Sequence, residues 1–313
     1  MSNSRRTSAA VTAAALICVA ATGCGSGSGK GGEGKDIKLG LALSTLDNPF
    51  FVEMKKGAEA EAKAQGATLN VQDAQNDASQ QANQIQNFTS QNVKSIIVNP
   101  VDSDAAAPSV KAADNAGIPV VAVDRTVNKA KVATTVASDN VTGGKKAAQE
   151  LAKQLDEQGS ILVLRGQPGT SASRERGEGF MSAIKKYPDI EIAGKQSANF
   201  ERAKGLDVTT NLLQSHPDVT GIFAENDEMA LGAVKALGGK AGKQVKVVGF
   251  DGTPDGFKAI KKGTLNTSIA QQPAALGKMA VRNAIRKVQG SNPDNEIKVP
   301  VITVDRKNVD EYS

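Results

Sequence analysis

The residues able to do chemistry sit at the ends of apolar runs. "IIVNP" reaches Asn99 and "VVAVD" reaches Asp124, 25 residues later; "IFAEN" reaches Asn226 and "VVGFD" reaches Asp251, again 25 residues later. In open parallel α/β sheets, ligands bind outside the carboxyl ends of the strands. Asn and Asp also close strands simply as turn residues. The repeated spacing favours a cleft with Asp124 and Asp251 on opposite walls. Two facing carboxylates could act as a glycosidase acid–base pair. The single histidine, His216 in "SHPDV", has no nucleophile elbow to serve, and one His with two Cys (Cys18, Cys24) cannot build a Cys/His zinc site.

The elements that must position these residues alternate. Val/Ile-rich runs with Gly ends ("IKLGLAL", "ATLNVQDA", "SIIVNP", "IPVVAVD", "KVATTVASD") are separated by helical patterns near 49–65, 78–91, 104–115 and 142–156. The order then restarts with "GSILVLRG", "EIAGKQSA", "VTGIFAEN" and "VKVVGFDG", with helices near 172–186, 201–215 and 228–236. Strands alternating with helices of this length predict parallel sheets made of βαβ units. The tail adds "TLNTSIAQQP", a helix over 273–289 and the extended "IKVPVITVD". It is too short for its own core and is expected to complete both lobes, which requires several crossings between them. The fold class is α/β: two doubly wound parallel-sheet lobes joined by a three-crossing hinge. The lobes are expected over 36–138 with 272–300, and over 139–271 with 301–313.

The first 35 residues are of another kind. Arg5 and Arg6 precede the short apolar run "VTAAALICVAAT" and then "GC" at Gly23–Cys24, the layout of a signal peptide over residues 1–23. "ATGC" resembles the bacterial lipobox, in which the cysteine carries lipid. "GSGSGKGGEGK" contains G-x-G-x-x-G and a near P-loop, but no strand precedes it, and Asp36 stands where Ser or Thr would ligate Mg²⁺. Residues 24–35 are therefore read as a flexible tether. Of 38 basic and 33 acidic residues, cleavage before Cys24 removes only Arg5 and Arg6. The remaining excess of positive charge is too mild for nucleic-acid binding, and no basic cluster with interleaved aromatics exists.

"LSTLDNPFF", "VNPVDSDA", "GIPVVAVDR", "ASDNVTGGKKA", "GTSASRERGEGF", "GIFAENDEMALGA", "VVGFDGTPDGFKAI" and "SIAQQP" together resemble the bacterial D-ribose-binding proteins, extracytoplasmic solute-binding proteins of sugar ABC importers. The resemblance runs from about Ile37 to Val304. It implies a periplasmic-binding-protein-like fold closing on one monosaccharide, ABC importer permease subunits as partners, a monomer, no cofactor, and membrane attachment only through lipid on Cys24 at the outer face of the cytoplasmic membrane. The sugar contacts it implies are Asn48, Phe50, Phe51, Asp124, Arg125, Arg176, Phe200, Asn226, Asp251 and Gln271. With Arg125 and Arg176 thus among them, both carboxylates are expected to stay ionised, neither is then poised as a general acid, and the site is read as binding without turnover. Asp47, Glu201 and Glu225 depart from the usual pattern beside these positions, Glu225 adding charge near Asn226. The residue types suit a pentose: aromatic rings cover its C–H faces, while planar polar groups meet hydroxyls that each donate one hydrogen bond and accept two. Phe88, Phe180 and Phe223 are assigned to the core and Arg174 to a solvated helix face.

Rival readings remain. A lac-repressor-type sugar sensor shares the two-lobe core but needs an N-terminal helix-turn-helix, where this chain has its signal-like segment. An exported sugar-processing enzyme lacks a catalytic His or an unpaired carboxylate. Within the same class, allose, xylose or an autoinducer could replace ribose.

Overall fold

The computed structural model describes residues 37–312; the signal-like segment, Cys24 and the Gly/Ser tether lie outside the described residues. Among the described residues, two six-stranded sheets account for all the strands. The first contains β1 (Lys38–Leu43), β2 (Thr68–Asp73), β3 (Ser95–Val98), β4 (Val120–Val123), β5 (Thr134–Ser138) and β11 (Glu296–Val299). The second contains β6 (Gly159–Arg165), β7 (Ile190–Ser197), β8 (Gly221–Ala224), β9 (Lys246–Asp251), β10 (Thr267–Ala270) and β12 (Ile302–Asp305). Their orders correspond, β2-β1-β3-β4-β5-β11 and β7-β6-β8-β9-β10-β12, and only β12 runs antiparallel. Both orders reverse direction beside the first strand of the lobe, which opens a crevice at the carboxyl ends there.

Side-chain alternation feeds a core on each face of each sheet. Leu39, Leu41 and Leu43 join Val121 and Val123 in one cluster, while Ala42 joins Ile96, Val98, Val120 and Ala122 in the other. In the second sheet Ile161 and Val163 face Phe180 and Phe223, and Leu162 and Leu164 face Met229. Phe88, Phe180 and Phe223 are fully buried, and the last two stack with centroids 4.3 Å apart.

The helices are α1 (Pro49–Ala64), α2 (Ala78–Ser90), α3 (Ala107–Asn115), α4 (Asn140–Gln154), α5 (Ser171–Ile184), α6 (Arg202–Ser215), α7 (Asp227–Leu237), α8 (Pro254–Lys262) and α9 (Pro273–Val288). None is long and apolar enough to cross a membrane. The sequence reading has no counterpart of α8. Its signals are Thr253 as N-cap, Pro254 in the first turn and Gly263 at φ 74° as C-cap. Three helix pairs (α1 with α9, α4 with α5, α6 with α7) pack backbone to backbone. A Cβ on Gly144 would lie 2.1 Å from the Arg176 carbonyl oxygen, and one on Gly57 2.1 Å from that of Ala274.

The chain passes between the sheets three times: from β5 to α4 through Asp139, from β10 to α9 through Gln271 and Gln272, and from β11 to β12 through Pro300 and Val301. β11 thus joins the first sheet and β12 the second. The crossings are tied together: Asp139 donates its backbone N–H to the Val299 carbonyl (2.9 Å), and Gln272 Nε2 donates to the Pro300 carbonyl (3.0 Å).

Candidate functional site

Strand ends and helix starts converge on one cavity of about 240 Å³ of empty space. Its wall contains Asn48, Phe50, Phe51, Asp124, Arg125, Arg176, Phe200, Asn226, Asp251 and Gln271, so all ten residues singled out from the sequence meet here; Ala172 is the one addition. Asp124, Phe200 and Asp251 have φ of 66°, 64° and 117°, uncommon for residues with a Cβ. Such strain persists where surrounding structure over-determines it, commonly at ligand sites.

On the first wall, the Asn48 side chain caps α1 by accepting from the Phe50 N–H at 2.9 Å, which turns Phe50 and Phe51 inward. Their rings meet edge to face with centroids 5.3 Å apart. Asp124 Oδ2 accepts from Asn99 Nδ2 at 3.0 Å and lies 3.5 Å from Arg125 Nε. Asn99 itself is held by Ser44, whose hydroxyl donates to its Oδ1 at 2.6 Å. Asn99 therefore stands behind Asp124 and does not line the cavity, unlike Asn226 in the other lobe. Arg125 donates through Nη1 to the Pro100 carbonyl at 2.8 Å.

On the second wall, Arg176 projects from α5 and stacks over the buried Phe250 ring at 3.9 Å. Its Nε donates to Asn140 Oδ1 (2.9 Å), and its Nη1 to the Glu225 carbonyl (2.7 Å) and Asp251 Oδ1 (3.3 Å). None of these bonds uses Nη2. Gln271 Nε2 donates to Asp251 Oδ1 at 2.7 Å. Asn226 helps shape the wall: its Oδ1 caps α7 at the Met229 N–H (2.9 Å), and its Nδ2 donates one hydrogen to the Phe200 carbonyl (3.1 Å). Arg174 is exposed, in keeping with a solvated face, and lies 3.9 Å from Glu175.

Glu225 does not bring its charge to the cavity. Its carboxylate is buried and ion-paired with Arg165; it accepts from the Gly166 N–H at 2.7 Å and from the Ser173 hydroxyl. Asp47 and Glu201 line a second chamber at the cleft, which also contains Arg202 and Glu228.

The expectation that arginines hold both aspartates fully ionised is corrected by burial. Loss of solvent raises the Asp124 carboxyl against the opposing pull of Arg125 and Arg176. Asp251 is pushed up to about 8 by burial, with Arg176 opposing and the nearby Asp227 and Asp124 carboxylates adding to the rise. Desolvation disfavours the charged form, and here it outweighs ion pairing.

The lobes also touch directly. Ser103 N–H donates to the Gly169 carbonyl (3.1 Å), Ser171 N–H to Ser103 Oγ (3.2 Å), and Thr126 N–H to Ser171 Oγ (2.9 Å). The structure is thus of lobes closed upon each other.

Asn140, Phe250, Glu225 and Ala172 escaped the sequence reading as site residues. For Asn140 the available signal was its place at the first residue of a helix after a strand end.

Residues 39–292 match the model of the periplasmic binding protein domain. The chain is similar to the ribose import binding protein RbsB of Bacillus subtilis, with 44% identity over 267 residues covering 85% of this chain and 87% of that protein. Among solved structures it is similar to a solute-binding protein of Bacillus halodurans with bound myo-inositol (TM-score 0.85, 33% identity, 90% of this chain and 98% of that one). It is also similar to a periplasmic solute-binding protein of Actinobacillus succinogenes with bound D-allose (TM-score 0.83, 34% identity, 88% of this chain and 99% of that one).

Proposed function

This chain belongs to the periplasmic binding protein family, and from that premise we propose that it captures D-ribose outside the cytoplasm and delivers it to an ABC importer. The observation that carries this reading is the set of buried polar atoms at the cavity without a protein hydrogen bond: Asp124 Oδ1, Gln271 Oε1 and Arg125 Nε, the last kept only by its 3.5 Å ion pair with Asp124. Buried polar groups are nearly always hydrogen-bonded, so such a set calls for a ligand rich in hydroxyls. A pentopyranose fits its chemistry. Asp124 Oδ1 and Gln271 Oε1 accept from sugar O–H groups, Arg125 Nε and Arg176 Nη2 donate to sugar oxygens, and Phe50, Phe51 and Phe200 supply apolar cover for the C–H faces. The similarity to a ribose import binding protein supports ribose as the sugar.

The protein works by binding, without turnover. Asp251 accepts from Gln271 and Arg176 through the same oxygen, Oδ1, a clamp that suits holding a hydroxyl rather than moving during a reaction. The lobes act as rigid bodies rotating about the three crossings, and the importer reads the closed form. Cys24, beyond the described residues, carries the lipid that holds a monomeric protein at the membrane.

Calorimetric titration with D-ribose, D-allose, D-xylose and myo-inositol tests the assignment. D-ribose should bind tightest with one site per chain. Stronger binding of D-allose, the ligand of a solved structure similar to this chain, would replace ribose with a hexose while leaving the role intact; failure of every sugar would reject the role.

A further inference from the structure

The Arg176–Asp251 pair is gripped from the hinge side by two carboxamides. Gln271, in the crossing from β10 to α9, holds Asp251. Asn140, the first residue of α4 after the crossing from β5, holds Arg176 through Nε at 2.9 Å. Asn140 is 1% exposed and does not line the cavity.

We propose that Asn140 is a positioning residue for sugar capture, fixing the rotation of the Arg176 guanidinium so that Nη2 points to the ligand. A guanidinium is planar, and its donors form a rigid fork. Fixing Nε on Asn140 and Nη1 on the Glu225 carbonyl sets the plane, and the Phe250 face 3.9 Å away keeps it. Removing the Nε anchor leaves the plane free to tilt about the remaining contacts. A buried arginine that must be ordered at each binding event lowers affinity, whereas one ordered beforehand does not.

Asn140 and Arg176 belong to the same lobe. α4 and α5 are packed at backbone distance, Gly144 lying against the Arg176 carbonyl and Gly179 against that of Val141. The anchor therefore survives rotation about the hinge, and the guanidinium is already aimed when the lobes are open. Asn140 thus acts by preorganisation and contributes nothing to the closing contacts themselves.

The proposal rests on the sugar-binding reading, and its test is a mutant cycle read by calorimetry with D-ribose. The variants are Asn140→Ala, Asn140→Asp, Arg176→Lys and the double variant Asn140→Ala/Arg176→Lys, each also melted without sugar. Lysine keeps the charge but has no Nε fork, so in its background Asn140 has nothing to aim. Asn140→Ala should weaken binding about 10-fold or more in the native background and less than about 2-fold in the Arg176→Lys background, by the coupling expected of contacting residues. Asn140→Asp keeps the acceptor for Nε but sets a second carboxylate beside Glu175, 3.5 Å from Nδ2, and should recover part of the loss. Each variant is titrated well below its own sugar-free melting temperature and must keep one site per chain, which separates aiming from folding. An equal loss of affinity in both backgrounds, or no loss in the native one, would overturn the proposal. Absence of ribose binding by the unaltered protein would instead reject the ribose reading, and the cycle repeated with whichever sugar of the panel binds then decides the role of Asn140.

Discussion

The guanidinium of Arg125, carried by the first lobe, stands 5.7 Å from the ring centre of Phe200, carried by the second, and 5.3 Å from that of Phe51 on its own side. One cation thus bridges aromatic faces from opposite walls, a contact that exists only while the lobes are together. Cation–π contacts of desolvated groups contribute about 2 kcal/mol. Closing therefore has protein–protein contacts of its own, besides any made through a ligand.

The serine contacts between the lobes give the first prediction. Ser103 and Ser171 each join the lobes by hydrogen bonds and line no part of the cavity. A neutral hydrogen bond contributes about 0.5–1.5 kcal/mol. Ser171→Ala should therefore weaken sugar binding about 3- to 10-fold, by the same factor for every sugar that binds, mainly through faster release. Stopped-flow dissociation checks this, and a sugar-dependent factor would contradict it.

The glycine between α4 and α5 gives the second. A Cβ at Gly144 meets the Arg176 carbonyl oxygen at 2.1 Å, whereas one at Gly239 meets nothing within 4 Å. Gly144→Ala must push α5, and Arg176 with it, at a cost of about 1–3 kcal/mol of stability typical of overpacking, together with a loss of sugar affinity. Gly239→Ala should do neither. Urea denaturation and calorimetry on both variants provide the comparison.

These predictions show where the sequence is legible. Asp124, Asn226 and Asp251 close apolar runs, so their places at strand ends can be read along the chain. Asn48, Phe50, Phe51, Arg125, Arg176, Phe200 and Gln271 follow instead from the resemblance to the family and not from any local pattern. Asn140 and Phe250 act through Arg176, so their roles follow from α4 and β9 lying against α5, which no local pattern records. Helix α8 carries its own start signal in Thr253–Pro254, the one helix for which the sequence expectation has no counterpart. The rise of Asp251 comes chiefly from burial, which no local pattern records, while the arginines named from the sequence pull the other way.

Asp227 gives a prediction in pH. It is buried, accepts from the Thr253 N–H (2.8 Å) and the Ser268 hydroxyl (2.7 Å), and burial pushes it up to about 6 from 3.8. A carboxyl raised on folding binds its proton more tightly in the native state, so this contribution is fully present below about pH 4 and is lost as pH rises through 6. The rise corresponds to roughly 3 kcal/mol. Asp227→Asn removes the titration. Between pH 4 and pH 7 the variant should therefore gain up to that amount relative to the unaltered protein in urea denaturation. A difference independent of pH would contradict the assignment.

Cys24 gives a prediction of place. Cys24→Ala should move the protein from the membrane fraction to the soluble fraction or leave it unprocessed, as read by cell fractionation and mass. Unchanged membrane retention with unchanged mass would reject lipid attachment at this residue.

The central claim is that D-ribose drives the two lobes together. Asp124 and Arg125 come from one lobe and Arg176 and Asp251 from the other, so a ligand gains its full set of contacts only in the closed form. Moving a population from 1:99 to 99:1 takes a preference of about 5.5 kcal/mol, within reach of several hydrogen bonds to charged groups at about 1.5–3 kcal/mol each. Small-angle scattering with and without saturating D-ribose measures the outcome. A fall in the radius of gyration on adding the sugar, blunted in Asp251→Ala at equal sugar concentration, is the predicted result; saturable binding with no contraction would contradict the account.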